Sequence, residues 1–72
     1  MTDTELLKKE IKKSGIKMET IMKAAGIKSY ATLRGRINNE TVFKASEISA
    51  ISELLRFSAE TRDKVFFTIK AE

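Results

Sequence analysis

Residues 15–38 read GIKMETIMKAAGIKSYATLRGRIN, and this stretch predicts two short helices separated by a glycine turn. Its first half carries apolar residues three and four positions apart, which is the spacing of one helix face. A helix is therefore expected over residues 18–25, with an apolar stripe of Met18, Ile21, Met22 and Ala25. Gly26 follows directly, and glycine readily adopts the left-handed conformation that commonly ends a helix.

The second helix of this stretch is expected over residues 29–38. Ser29 is a residue type whose hydroxyl caps helix N-termini, and Leu33 and Ile37 are one helical turn apart. Gly35 lies inside the helix, where it costs about 1 kcal/mol relative to alanine. Gly35 either allows a backbone segment or a partner side chain to approach the helix closely, or it is a neutral substitution.

Three further helices are expected around these two, over residues 3–14, 45–55 and from Ser58 onward. Thr2 and Glu5 have the spacing of a capping box for the first, and Gly15 suits its C-terminal end. The residues expected to face the core are Leu7, Ile11, Leu33, Ile48, Ile51 and Leu55. In the fifth helix, one side is expected to carry Arg62, Val65, Phe66 and Ile69. A strand over residues 65–69 would have no partner. The prediction is a single all-α domain over residues 1–72, with five short helices.

Composition excludes several classes of function. The 72 residues contain no Cys and no His, so disulfides, the common zinc sites and Ser-His or Cys-His nucleophile pairs cannot form. The three glycines are isolated and make no phosphate-binding loop. We therefore expect no enzyme, no cofactor and no metal. No apolar run approaches the roughly 20 residues of a membrane span, and the N-terminus does not resemble a signal peptide. A cytoplasmic binding protein is expected.

Basic residues are concentrated in the first half of the chain. Residues 8–36 contain nine basic and two acidic side chains, a net charge of +7, whereas residues 37–72 contain five basic and six acidic ones, a net of −1. Such asymmetry favours a polyanionic partner, either nucleic acid or an acidic protein surface. Solvated lysines on helix faces would give the same pattern, so charge alone leaves both interpretations open.

The sequence resembles the Cro/repressor-type helix-turn-helix family of temperate phages. The resemblance covers about residues 5–67, with the motif at about 18–38. It is carried by Gly15-Ile16, by Ala25-Gly26-Ile27 at the turn, by Thr32-Leu33 with Arg36-Ile37-Asn38 in the third helix, and by Phe43 with Ser46-Glu47-Ile48. Within this family, the chain looks most like the modulator-of-repression (antirepressor) proteins of phages of lactic acid bacteria.

The resemblance implies a third helix whose polar face contacts DNA or a partner. Carried over to this sequence, the implied contact residues are Lys17, Met18, Lys28, Ser29, Tyr30, Ala31, Arg34, Arg36 and Asn38. Arg34 and Arg36 are the candidates for bidentate contacts to guanine or phosphate. Lys17 and Lys28 are the candidates for backbone phosphates, and Tyr30 is a candidate protein-interface anchor.

Several positions depart from the family pattern. Leu33 follows Gly26 by seven residues, one more than is common, and Met18 stands where DNA-binding relatives often have Gln. Met22 replaces the usual small residue where the two helices meet, and core packing is the favoured role for it. The third helix also has few of the Gln and Asn side chains that discriminate bases.

These departures leave two main interpretations. In the favoured one, the protein is a lysis–lysogeny regulator that binds the DNA-binding domain of the phage repressor and alters its occupancy of operator DNA. In the alternative, it is a stand-alone Cro-like repressor that binds the operator itself. An antitoxin-like regulator is a weaker third possibility that rests on the fold alone.

Overall fold

A computed structural model describes residues 1–68 of the chain, which form five short α-helices. The helices are α1 (Thr4–Ser14), α2 (Met18–Ala25), α3 (Tyr30–Ile37), α4 (Ala45–Leu54) and α5 (Ala59–Phe66). The predicted all-α architecture and the order of its helices are confirmed. Residues 65 and 66 are helical, so the strand considered for residues 65–69 does not form over its described part. The predicted position of Ile69, on the same side of the fifth helix as Val65 and Phe66, lies outside the described residues.

The helix ends follow from capping residues. Ser29 and Ser58 accept backbone N–H groups from Thr32 and Thr61, as N-caps of α3 and α5. Gly15 and Gly26 end α1 and α2 with φ of +72°, a conformation that disfavours any residue with a Cβ atom. These four predicted caps are confirmed.

The predicted Thr2–Glu5 capping box is wrong. Asp3 is the N-cap of α1, and its carboxylate accepts the Leu6 N–H at 3.0 Å. Thr2 is buried instead, because Asn39 pairs with its backbone. The Thr2 N–H donates to Asn39 Oδ1 at 3.0 Å, and Asn39 Nδ2 donates to the Thr2 carbonyl at 2.8 Å. This contact fixes the start of the chain to the loop after α3.

All five helices and two connecting loops contribute to one apolar core. Its buried members are Leu7, Ile11, Ile21, Ile27, Leu33, Ile37, Phe43, Ile51, Val65 and Phe66. Phe43 and Phe66 pack edge to face, with ring centroids 5.2 Å apart. Leu33 is buried as predicted, whereas Ile48 is only partly buried and packs against the edge of the core. Leu55 is likewise only partly buried.

An ion pair connects α3 to the start of α4. Arg36 Nε lies 2.7 Å from Glu47 Oε1, and both side chains are mostly buried, at 14% and 6% exposed. The same carboxylate oxygen accepts the Lys44 N–H at 2.9 Å and thereby caps α4. Together with the Asn39 contact, the pair fixes the C-terminal end of α3. Among residues 1–68, no helix has the length and apolarity needed to cross a membrane.

Candidate functional site

The exposed surface of α3 and the connection before it carry most of the residues predicted from the sequence. Six of the nine lie there and are exposed: Lys28, Ser29, Tyr30, Ala31, Arg34 and Asn38. Lys17 is exposed as well, but it lies at the start of α2. We use the name α3 surface for Lys28, Tyr30, Ala31, Arg34 and Asn38.

Tyr30 and Arg34 form the most distinctive feature of the α3 surface. They are four residues apart and therefore lie on the same side of the helix. The Arg34 guanidinium carbon is 5.8 Å from the centroid of the Tyr30 ring, which is within cation–π range. Tyr30 as a whole residue remains 50% exposed. The pair thus presents an aromatic face and a positive charge side by side in the N-terminal half of α3.

Two of the predicted contact residues are engaged within the protein. The Ser29 hydroxyl accepts the Thr32 N–H at 3.0 Å and lies 3.1 Å from Thr32 Oγ1. Arg36 is held by Glu47 and also donates to Thr41 Oγ1 at 3.4 Å. These contacts engage Nε and Nη1 of Arg36 within the protein, and its contact with a base or phosphate stays a prediction.

Met18 also differs from the expectation for a contact residue. It is partly buried and packs against the apolar core at the start of α2, as Met22 does near its end. The core-packing role favoured for Met22 is confirmed. Among the nine predicted residues, Arg34 and Asn38 remain as exposed donors on α3 that suit the edges of bases.

The first three helices and their connections keep nearly all of their basic side chains exposed. Of the nine basic side chains in residues 8–36, all except Arg36 are exposed: Lys8, Lys9, Lys12, Lys13, Lys17, Lys23, Lys28 and Arg34. Within residues 1–68, none of these eight forms an ion pair. Their charges are therefore available to an external partner.

A shallow depression beside the α3 surface was not predicted from the sequence. It has a volume of about 430 Å³, and we call it the α2 dimple. It is lined by Glu19, Met22, Lys23, Gly26, Ile27 and Lys28. The i, i+4 spacing of Glu19 and Lys23, with Met22 between them, gives a weak sequence signal for it, but the approach of Ile27 depends on the turn at Gly26.

Other concave surfaces lie away from α3. A groove of about 560 Å³ between α4 and α5 includes Phe43, Ile48, Ser52 and Phe67, and a second one next to it includes Met1 and Val42. The Ser52 hydroxyl is buried without a hydrogen-bond partner in the described part of the chain. No group of three or more potential metal-ligating side chains occurs within residues 1–68.

No family model, curated protein or solved structure matches the chain.

Proposed function

We propose that this protein is a small cytoplasmic transcription regulator of a temperate phage, and that it acts as an antirepressor. In this proposal, α2 and α3 form a helix-turn-helix motif that binds a protein. The partner is the DNA-binding domain of the phage repressor, and binding alters the repressor's occupancy of its operator. The resemblance of the sequence to modulator-of-repression proteins supplies the identity of the partner.

The exposed Tyr30–Arg34 pair is the observation that carries this proposal. A half-exposed tyrosine whose ring is backed by a guanidinium loses little conformational freedom on binding and brings both apolar area and charge. Tyrosine and arginine are the residue types enriched at the centres of protein interfaces. A surface that must read bases needs several free hydrogen-bond donors and acceptors, whereas Ser29 and Arg36 are already engaged here.

The alternative function is direct operator binding, and the eight exposed basic residues favour it. Lys17 and Lys28 lie at the beginning of α2 and just before α3, where they suit contacts to backbone phosphates. Arg34 would then read a guanine, and Asn38 an adenine. In that case α3 would enter the major groove with Tyr30 near its leading end.

Two substitutions distinguish these functions. Wild type, Tyr30→Ala and Arg34→Ala are titrated calorimetrically against a purified repressor DNA-binding domain from a temperate phage of lactic acid bacteria, and separately against its operator duplex. For an antirepressor, we expect Tyr30→Ala to weaken repressor binding by about 30-fold, which corresponds to about 2 kcal/mol. Tyr30→Phe is the matched control, because it keeps the ring and should retain most of the affinity.

The melting temperature of Tyr30→Ala should remain close to that of wild type, since a half-exposed ring contributes little to folding. If the wild type binds operator DNA but not the repressor domain, and Arg34→Ala loses about 1–3 kcal/mol at one base position, the direct DNA-binding function replaces the antirepressor.

A further inference from the structure

The α2 dimple adjoins the proposed interface. Lys28 belongs both to its lining and to the α3 surface, two residues before Tyr30. Met22 and Ile27 supply apolar lining, and Met22 remains only partly buried. An apolar depression next to an exposed aromatic residue is the arrangement in which protein partners place a second anchoring side chain.

The lining of the dimple selects between classes of partner. Lys23 and Lys28 are both exposed at its rim, together with the exposed carboxylate of Glu19. Within residues 1–68 none of these three side chains forms an ion pair. Glu19 repels phosphates and partner carboxylates alike, so the apolar lining is what discriminates, and a phosphate backbone would leave it without a complement. A protein segment can instead combine an apolar side chain with carboxylates.

We propose that the α2 dimple binds an apolar side chain of leucine type from a protein partner, flanked in that partner by carboxylates that pair with Lys23 and Lys28. The apolar side chain replaces water over the partly exposed Met22, and the two lysines select acidic neighbours. This inference rests on the proposed function only in requiring that the partner is a protein that docks beside the α3 surface.

The three methionines of the chain allow a direct test. In a protein with ¹³C-labelled methionine methyl groups, Met22 reports on the dimple, whereas Met1 lines the separate groove with Val42 and Phe67. The probes are capped tripeptides at millimolar concentration: Asp-Leu-Asp, Asp-Ala-Asp and Lys-Leu-Lys. We expect Asp-Leu-Asp to shift the Met22 signal saturably, with the Met1 signal unchanged. The other two peptides should bind at least fivefold more weakly.

Charge variants of α2 provide the matched control. Lys23→Glu should weaken Asp-Leu-Asp binding at least fivefold and improve Lys-Leu-Lys binding, with the helical circular dichroism of the wild type retained. Glu19→Gln, one turn earlier, should leave Asp-Leu-Asp binding equal or stronger. Equal binding of all three peptides, or no shift of Met22 with any of them, overturns the inference. A shift of Met1 in place of Met22 also overturns it and assigns the docking site to the groove near Phe67.

The same labelled protein separates this inference from the proposed function. If the repressor domain binds and Met22 does not shift, the dimple inference is wrong while the antirepressor function stands. If the repressor domain does not bind at all, the proposed function fails, and the tripeptide titrations still decide whether the dimple selects an acid-flanked apolar side chain. A 12-base-pair duplex that shifts Met22 more strongly than Asp-Leu-Asp does would make the dimple part of a nucleic-acid surface.

Discussion

Leu33 joins α3 to the core through a side chain that is only 1% exposed. Removing its methyl groups deletes buried apolar contacts and leaves a cavity among Ile21, Ile37 and their neighbours in the core. We expect Leu33→Ala to lower the free energy of unfolding by about 2–5 kcal/mol in urea melts. Val42→Ala is the control, because Val42 is 86% exposed and its loss should fall within about 0.5 kcal/mol. A loss below about 1 kcal/mol for Leu33→Ala contradicts its position in the core.

The glycines of this region differ in what they require of the backbone. At Gly35 an added Cβ atom would lie 3.6 Å from Thr41 Oγ1, which is ordinary van der Waals contact, and the backbone is helical. Gly35→Ala should therefore stabilise the protein by about 0.5–1 kcal/mol, because alanine has the higher helix propensity.

Gly26→Ala is the matched opposite of that substitution. No atom within 4 Å obstructs a Cβ there, but φ is +72°, and an L-residue adopts that conformation at a cost of roughly 1–2 kcal/mol. Thermal melts of the two variants should shift in opposite directions. If Gly35→Ala is destabilising instead, the loop at residues 40–41 packs against α3 more closely than the structure shows.

At the level of elements, α3 is held at its C-terminal end by Arg36 and Glu47. Breaking a mostly buried ion pair leaves one charge desolvated without its partner, so Arg36→Ala should cost about 3–5 kcal/mol. Lys64→Ala disrupts an exposed i, i+4 pair with Glu60 and should cost at most about 0.5 kcal/mol. Denaturant melts compare the two directly.

The double variant Arg36→Met/Glu47→Met tests the cause of this difference. The double variant should lose less unfolding free energy than Arg36→Met and Glu47→Met lose together. In the double variant neither charge is left buried without its partner. Additive losses would indicate that the two side chains stabilise α3 and α4 independently.

Local sequence features predicted the helices well. Ser29, Ser58, Gly15 and Gly26 act within one turn of their own position, so residue type was enough to place the ends that they cap. Leu33 and Ile37 were placed correctly because helical spacing determines which side of a short helix faces the core.

Contacts between distant parts of the chain were not predictable in this way. Thr2 was expected to cap α1, but Asn39, 37 positions away, binds its backbone and Asp3 is the cap. Arg36 looked like a free cation because its partner Glu47 comes from another helix. The α2 dimple likewise depends on how the turn at Gly26 places Ile27 against α2. The sequence therefore predicted which residues of α3 are exposed better than it predicted which of their side chains are engaged within the protein.

For the molecule as a whole, the dominant feature is a basic surface made by the first three helices. Eight exposed cations in residues 8–36 create a field that attracts any acidic partner before contact, whichever partner class is correct. Long-range attraction mainly raises the association rate. Direct ion pairs at the interface also make the affinity depend on salt concentration. The two contributions come from different parts of the surface and can be separated.

Two double variants with the same change in net charge make that separation. Lys12→Gln/Lys13→Gln removes charge from the end of α1, and Lys23→Gln/Lys28→Gln removes it from the α2 dimple beside the α3 surface. The affinity of the wild type for its ligand should fall between about 50 and 200 mM salt. For DNA, log K should fall by about 0.9 per phosphate neutralised for each tenfold rise in salt.

We expect the dimple variant to flatten this salt dependence. The α1 variant should keep a slope near that of the wild type but associate more slowly at low salt. Equal slopes for both variants would show that the lysines act only through the overall field, and a salt-independent wild type would exclude an electrostatic role for this surface.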